Sequence, residues 1–92
     1  MLPLKWLPSA LDDLDTIVAF IAENNVSAAY RTHEGVQTSA EFLSQQPYIG
    51  KPGRIDGTRE WVISASYLLV YRVTADTVEI ASVVHTRQEY PR

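Results

Sequence analysis

Three apolar runs dominate the second half of the chain, residues 57–63, 67–73 and 78–91, with almost nothing between them. Each is rich in β-branched and aromatic residues, the composition of strands. The breaks are Ser64-Ala65-Ser66 and Thr74-Ala75-Asp76-Thr77. A parallel crossover needs about a dozen residues, so strands joined this tightly run antiparallel. If Thr74 to Thr77 form the second loop, Val73 faces Val78, Tyr71 faces Ile80, Leu69 faces Ser82 and Tyr67 faces Val84. On the other face Arg72 meets Glu79, Val70 meets Ala81 and Leu68 meets Val83. An Arg–Glu cross-strand pair contributes about 0.2–1 kcal/mol. Both faces are largely apolar. The sheet is therefore covered on both sides or keeps one face for a partner.

The preceding residues must supply the cover. Leu2, Leu4 and Trp6 alternate in a short first strand over residues 2–7, and Pro3, which cannot donate to a ladder, places its start at an edge. Ser9 reads as a helix N-cap with Asp12 three residues on. Asp12, Asp13 and Asp15 crowd the first turns, where the helix dipole favours negative charge, and read as a solvated helix start. Leu11, Leu14, Ile17, Val18 and Ile21 form one apolar stripe at helical period. Asn24-Asn25 breaks this helix, and Asn25 caps a second over about residues 26–46, with Ala29, Val36, Ala40 and Leu43 as its stripe. Gly35 costs that helix about 1 kcal/mol relative to Ala and marks a close contact. Residues 45–56 hold Pro47, Gly50, Pro52 and Gly53 and read as a loop, which Lys51 and Arg54 make basic. The expected fold is α+β, in the order β-α-α-β-β-β. A helical hairpin packs on one face of a small antiparallel sheet, with residues 1–92 as a single domain.

Charge and composition narrow the function. Without cysteine there is no disulfide and no thiolate metal site. No run is long enough to span a membrane, and the start lacks the basic end and long apolar core of a signal peptide, so a cytoplasmic location is expected. The net charge of −3 is uneven. Two basic residues stand against six acidic ones in the first fifty positions, and six against five in the remainder. Such a chain is a poor general binder of polyanions, and any anion site must be a local cluster in the second half.

No phosphate loop, nucleophile elbow or zinc-protease motif is present. His33 falls on an exposed helix face. The compact polar group is His85-Thr86-Arg87-Gln88-Glu89-Tyr90. RNA cleavage needs a base for the ribose hydroxyl, a cation for the phosphate and an acid for the leaving oxygen, and these residue types could serve. The same residues also fit a plain strand end, with His85 hydrogen-bonded locally and Arg87 solvated. No metal or cofactor is called for.

The element order resembles the RelE/ParE toxin superfamily of bacterial type II toxin–antitoxin modules. The segments Trp6-Leu7-Pro8-Ser9-Ala10-Leu11-Asp12-Asp13-Leu14, Gly57-Thr58-Arg59-Glu60, Tyr67-Leu68-Leu69-Val70-Tyr71-Arg72-Val73 and Val83-Val84-His85-Thr86-Arg87-Gln88 carry the resemblance across nearly the whole chain. It implies one of two activities. RelE-like members cut mRNA in the ribosomal A site, and ParE-like members poison DNA gyrase without an established catalytic residue. RelE-like nucleases usually carry Arg where this chain has Leu68, and a second basic residue where it has Trp61. The start and the His-x-Arg-Gln-x-Tyr-Pro end are closer to ParE-like members. The resemblance then implies target contacts at Arg59, Arg72, His85, Arg87 and Tyr90. It also implies a ParD-like antitoxin whose tail folds on binding over Leu14, Val18, Val36 and Leu43, with operator DNA reached only through that antitoxin. In the alternative, a ribosome-dependent endoribonuclease, His85 is base or acid, Arg59 and Arg87 clamp phosphate, and Tyr90 stacks or donates a proton. A non-toxic homologue that only binds antitoxin is the third reading.

Overall fold

The computed structural model describes residues 1–91. In chain order its elements are β1 (Leu4–Trp6), α1 (Pro8–Ala22), α2 (Val26–Gln45), β2 (Lys51–Pro52), β3 (Arg59–Val62), β4 (Tyr67–Val73) and β5 (Val78–His85). The sheet order is β1-β5-β4-β3-β2. The meander forms as expected from its short loops, with β3, β4 and β5 antiparallel in sequence.

Two features differ from the expected sheet. The first strand lies at an edge, but it runs parallel to β5, so the sheet is mixed rather than wholly antiparallel. The helical hairpin and the meander separate β1 from β5, which gives the chain ample length for a crossover that returns in the same direction. The stretch read as a loop also contains β2, which pairs Lys51 with Glu60 and Pro52 with Arg59 at the opposite edge. Proline is tolerated there because an edge strand needs no donor on its outer side.

The helices pack on one face of the sheet. Ala10, Leu14, Val36, Ala40 and Leu43 meet Leu69, Tyr71, Val78, Ile80 and Val83 in the main core. Fully burying a side chain such as Leu43 or Ile80 contributes about 1.5–3 kcal/mol. Leu11, expected in the buried stripe, is instead exposed. Asn25 caps α2 as expected, accepting the Ala28 N–H at 2.9 Å. Ser9 does not cap α1. Pro8 occupies the first turn, where its fixed φ suits a helix, so Leu7 is the N-cap and makes no side-chain bond. The freed Ser9 hydroxyl donates to the Ala81 carbonyl at 2.6 Å.

That contact lies at a β-bulge. The expected register holds for Val73–Val78, Arg72–Glu79 and Tyr71–Ile80. Ala81 is then extra, so Ser82 faces Val70, Val83 faces Leu69, Val84 faces Leu68 and His85 faces Tyr67. The expected pairs Leu69–Ser82, Tyr67–Val84, Val70–Ala81 and Leu68–Val83 are all shifted by one. Asp13 explains where the shift falls. Its carboxylate accepts the Ser82 hydroxyl at 2.7 Å and the Val83 N–H at 3.0 Å. Asp13 is thus a tie between helix and sheet, not part of a solvated helix start. Because side chains alternate, one extra residue turns Val83 toward the helices and Val84 to the reverse face.

Candidate functional site

Two polar clusters organise the end of the molecule where the 46–58 segment meets the sheet. The first ties that segment down on the helix side. Tyr71, fully buried in β4, donates its hydroxyl to the Pro47 carbonyl at 2.8 Å and accepts the Gly50 N–H at 2.9 Å. Burial pushes the Tyr71 hydroxyl above its ordinary pKa, against a smaller lowering by the Gly50 hydrogen bond and the Arg59 charge. Arg59 donates to the carbonyls of Gly50 at 2.8 Å and Tyr48 at 3.2 Å, and its guanidinium lies over the Tyr48 ring. Gly50 is required by this packing, because a Cβ there would stand 2.5 Å from the Tyr71 hydroxyl and 2.8 Å from the Glu60 carbonyl.

The second cluster is on the reverse face. Glu60 alternates with Arg59 on β3 and points away from the helices. Its side chain is 1% exposed, with the Arg54 guanidinium at 3.6 Å and the Lys51 ammonium at 3.9 Å. Glu60 Oε2 also accepts the Arg54 N–H at 3.1 Å and the Tyr90 hydroxyl. The Tyr90 ring lies between the Arg54 guanidinium, 4.5 Å from its centroid, and the apolar strip of Leu68, Val70 and Val84. Two helices thus cover one side of the sheet, while on the other a single aromatic ring caps the strip of Leu68, Val70 and Val84.

The polar group at the end of β5 does not assemble into one site. His85 sits opposite Tyr67 on the helix side, with their rings edge to face at 5.2 Å, and its Nδ1 accepts the Arg87 N–H at 3.0 Å. Tyr90 packs on the reverse side of the sheet. Arg87 is exposed between them. Arg72 faces Glu79 in register, while the ion pairs among the described residues both go to Glu60. Leu68 is buried under Tyr90, and Trp61 packs against Phe42 with ring centroids 5.5 Å apart.

Leu14, Val36 and Leu43, expected to meet an antitoxin, are instead core residues whose side chains the sheet already covers. Val18 differs. It lines an apolar groove of about 360 Å³ between α1 and α2, with Ala22, Val26, Ala29, Tyr30 and His33. Helical period identified the apolar stripe but not which of its members the sheet would take.

Sequence reading missed Glu60 and Arg54 as partners and Asp13 as a tie. A carboxylate inside an apolar strand was the available signal for Glu60, since such a group is rarely buried without cations beside it. Nothing local marked Asp13, whose partners lie about seventy residues away.

The family model described as "ParE toxin of type II toxin-antitoxin system, parDE" matches residues 4–90. The chain belongs to the ParE toxin family. The candidate toxin Y4kP of Sinorhizobium fredii is 38% identical to this ParE-family toxin over 90 residues, which is 97% of this chain and 93% of the relative. Among solved structures, the chromosomal ParDE toxin–antitoxin system from P. aeruginosa superposes with a TM-score of 0.82 at 21% identity. That match covers 92% of this chain and 96% of the other. The YoeB/ParE toxin from Agrobacterium tumefaciens gives a TM-score of 0.66, also at 21% identity, over 91% and 98% of the two chains. The likeness to both structures is one of fold.

Proposed function

We propose that this ParE-family toxin acts by binding a macromolecular target, DNA gyrase, and that a ParD-like antitoxin neutralises it in the cytoplasm. The separation of His85 from Tyr90 across the sheet carries this reading. A nuclease must bring base, cation and acid to one phosphate, and these groups diverge. The burial of Leu68 beneath Tyr90 leaves no phosphate clamp at the position where nucleases of the superfamily place Arg.

The side chains expected to contact the target differ in how free they are to do so. Arg59 is committed to two loop carbonyls and His85 to the Arg87 N–H. Arg87 stays exposed, and Arg72 is half-exposed on the reverse face. For the antitoxin, the groove at Val18 and Tyr30 offers an apolar trough to a helix that folds on binding. Operator DNA would be reached through that antitoxin, in keeping with the net charge of −3.

The test incubates purified toxin with gyrase, ATP and supercoiled plasmid, with and without antitoxin. Linear DNA trapped by the toxin and abolished by the antitoxin is the expected result. No linear product from a folded, antitoxin-binding sample, together with mRNA cleavage on ribosomes, would overturn the reading.

A further inference from the structure

The segment after β5 is tied to the sheet at both ends. At its start the Thr86 N–H donates to the Ser66 carbonyl at 2.7 Å, and the Thr86 hydroxyl donates to the Ala65 carbonyl at 2.8 Å. The Gln88 N–H closes a turn onto the His85 carbonyl at 2.8 Å. At its end Tyr90 is seated between the apolar strip and Arg54, with its hydroxyl on buried Glu60. Between the ties Arg87, Gln88 and Glu89 are exposed. A segment beyond the last strand without such ties would fray, because few contacts would offset its conformational entropy. Here a buried carboxylate from β3 and a cation from the 46–58 segment converge on the segment's own aromatic ring and hold it.

We propose that Glu60 is the positioning residue of a pre-organised contact loop, residues 85–90, which presents the Arg87 guanidinium to the toxin's target. The proposal rests on the reading that the toxin works by binding. Holding the loop in place beforehand removes an ordering cost from association, so the latch tightens target binding without touching the target. Charge placement supports this role. The cations Lys51 and Arg54 are drawn to Glu60, while Arg87 joins neither ion pair and remains available to an acidic patch on a protein partner.

Trypsin reads the latch directly, because Arg87 lies inside the loop and Arg31 lies inside α2. Tyr90→Phe keeps the ring and removes only the bond to Glu60. Cleavage after Arg87 should then accelerate about tenfold, while cleavage after Arg31 keeps its wild-type rate. Potency on the target, read as growth arrest on induction and as linear DNA with gyrase, should fall with it. Affinity for the antitoxin should not change. Glu60→Gln, which keeps an acceptor oxygen, should hold the loop better than Glu60→Ala. If Tyr90→Phe also speeds the Arg31 cut, the fold has been damaged. Arg54→Ala, which uncovers the ring from the solvent side, then replaces it in the same comparison. Equal Arg87 cleavage in wild type and variant overturns the proposal, as does faster cleavage with undiminished growth arrest. A wild-type chain that arrests growth yet yields no linear DNA removes gyrase as target and leaves the latch judged by proteolysis and growth arrest.

Discussion

Tyr71 shows how one buried hydroxyl can organise a loop and carry a pH signature. It holds Pro47 and Gly50 together from inside the core. Tyr71→Phe keeps the packing but strands the Gly50 N–H, so a loss of about 1–3 kcal/mol is expected in urea unfolding. The pH dependence follows from the raised pKa. Below about pH 10 the hydroxyl is protonated in both folded and unfolded chains, and the stabilisation is fully present. Above it the unfolded chain ionises first, which favours unfolding, and the advantage is lost as pH rises through the folded value. The stability gap between wild type and Tyr71→Phe should therefore narrow as the pH rises above about 10. A gap that stays constant or widens on alkalinisation would mean that burial does not govern this group. The sequence placed Tyr71 in a strand opposite Ile80, and that pairing stands. It could not show the hydroxyl's partners, which lie 21 and 24 residues away in a stretch with no periodic pattern.

Among the elements, local chemistry was legible in α2, was misread at the start of α1, where Pro8 displaces the cap from Ser9 to Leu7, and long-range chemistry was not legible. The Asn25 cap and the buried positions of α2 followed from residue type and period, because both are set within a few residues. The bulge at Ala81 did not, because it depends on Asp13 reaching across from α1. Asp13→Ala removes the acceptor for Ser82 and for the Val83 N–H. A loss of about 1–3 kcal/mol is expected, with Asp13→Asn milder because one acceptor oxygen remains. The tie also sets which face the end of β5 presents. The Tyr67–His85 ring contact, seen as the cross-peaks between the two rings in NMR spectra, should weaken in Asp13→Ala and survive in Asp13→Asn. Gly35 runs the other way. A Cβ there would stand 3.7 Å from Ile63 Cγ2, which is ordinary contact, so the glycine marks no tight approach. Gly35→Ala should stabilise the toxin by about 0.4–1 kcal/mol through the chain entropy and helix propensity of α2, read as a higher melting temperature.

For the molecule as a whole, the helical hairpin has an inner and an outer face, and this separates stability from partner binding. The hairpin's inner face is spent on the core through Leu14, Val36 and Leu43. Its outer face still exposes Val26 at 60% and Tyr30 at 69% on the rim of the groove at Val18. Exposed aromatic and aliphatic groups flanking an apolar trough are the usual marks of a docking surface. Amphipathic period alone predicted one stripe per helix. It could not show that the sheet would take Leu14 and leave Leu11 outside, because that choice depends on how α1 lies against the sheet. Substitutions on the two faces should then behave oppositely. Leu14→Ala should cost about 2–5 kcal/mol, and any loss of antitoxin affinity would follow the loss of fold. Tyr30→Asp should leave the melting temperature within a few degrees of wild type. It should weaken antitoxin binding at least about tenfold by calorimetry, since a charge at an apolar contact must be desolvated without a partner. If Tyr30→Asp binds as tightly as the wild type, the antitoxin docks elsewhere, and the reverse face beyond Tyr90 becomes the surface to map next.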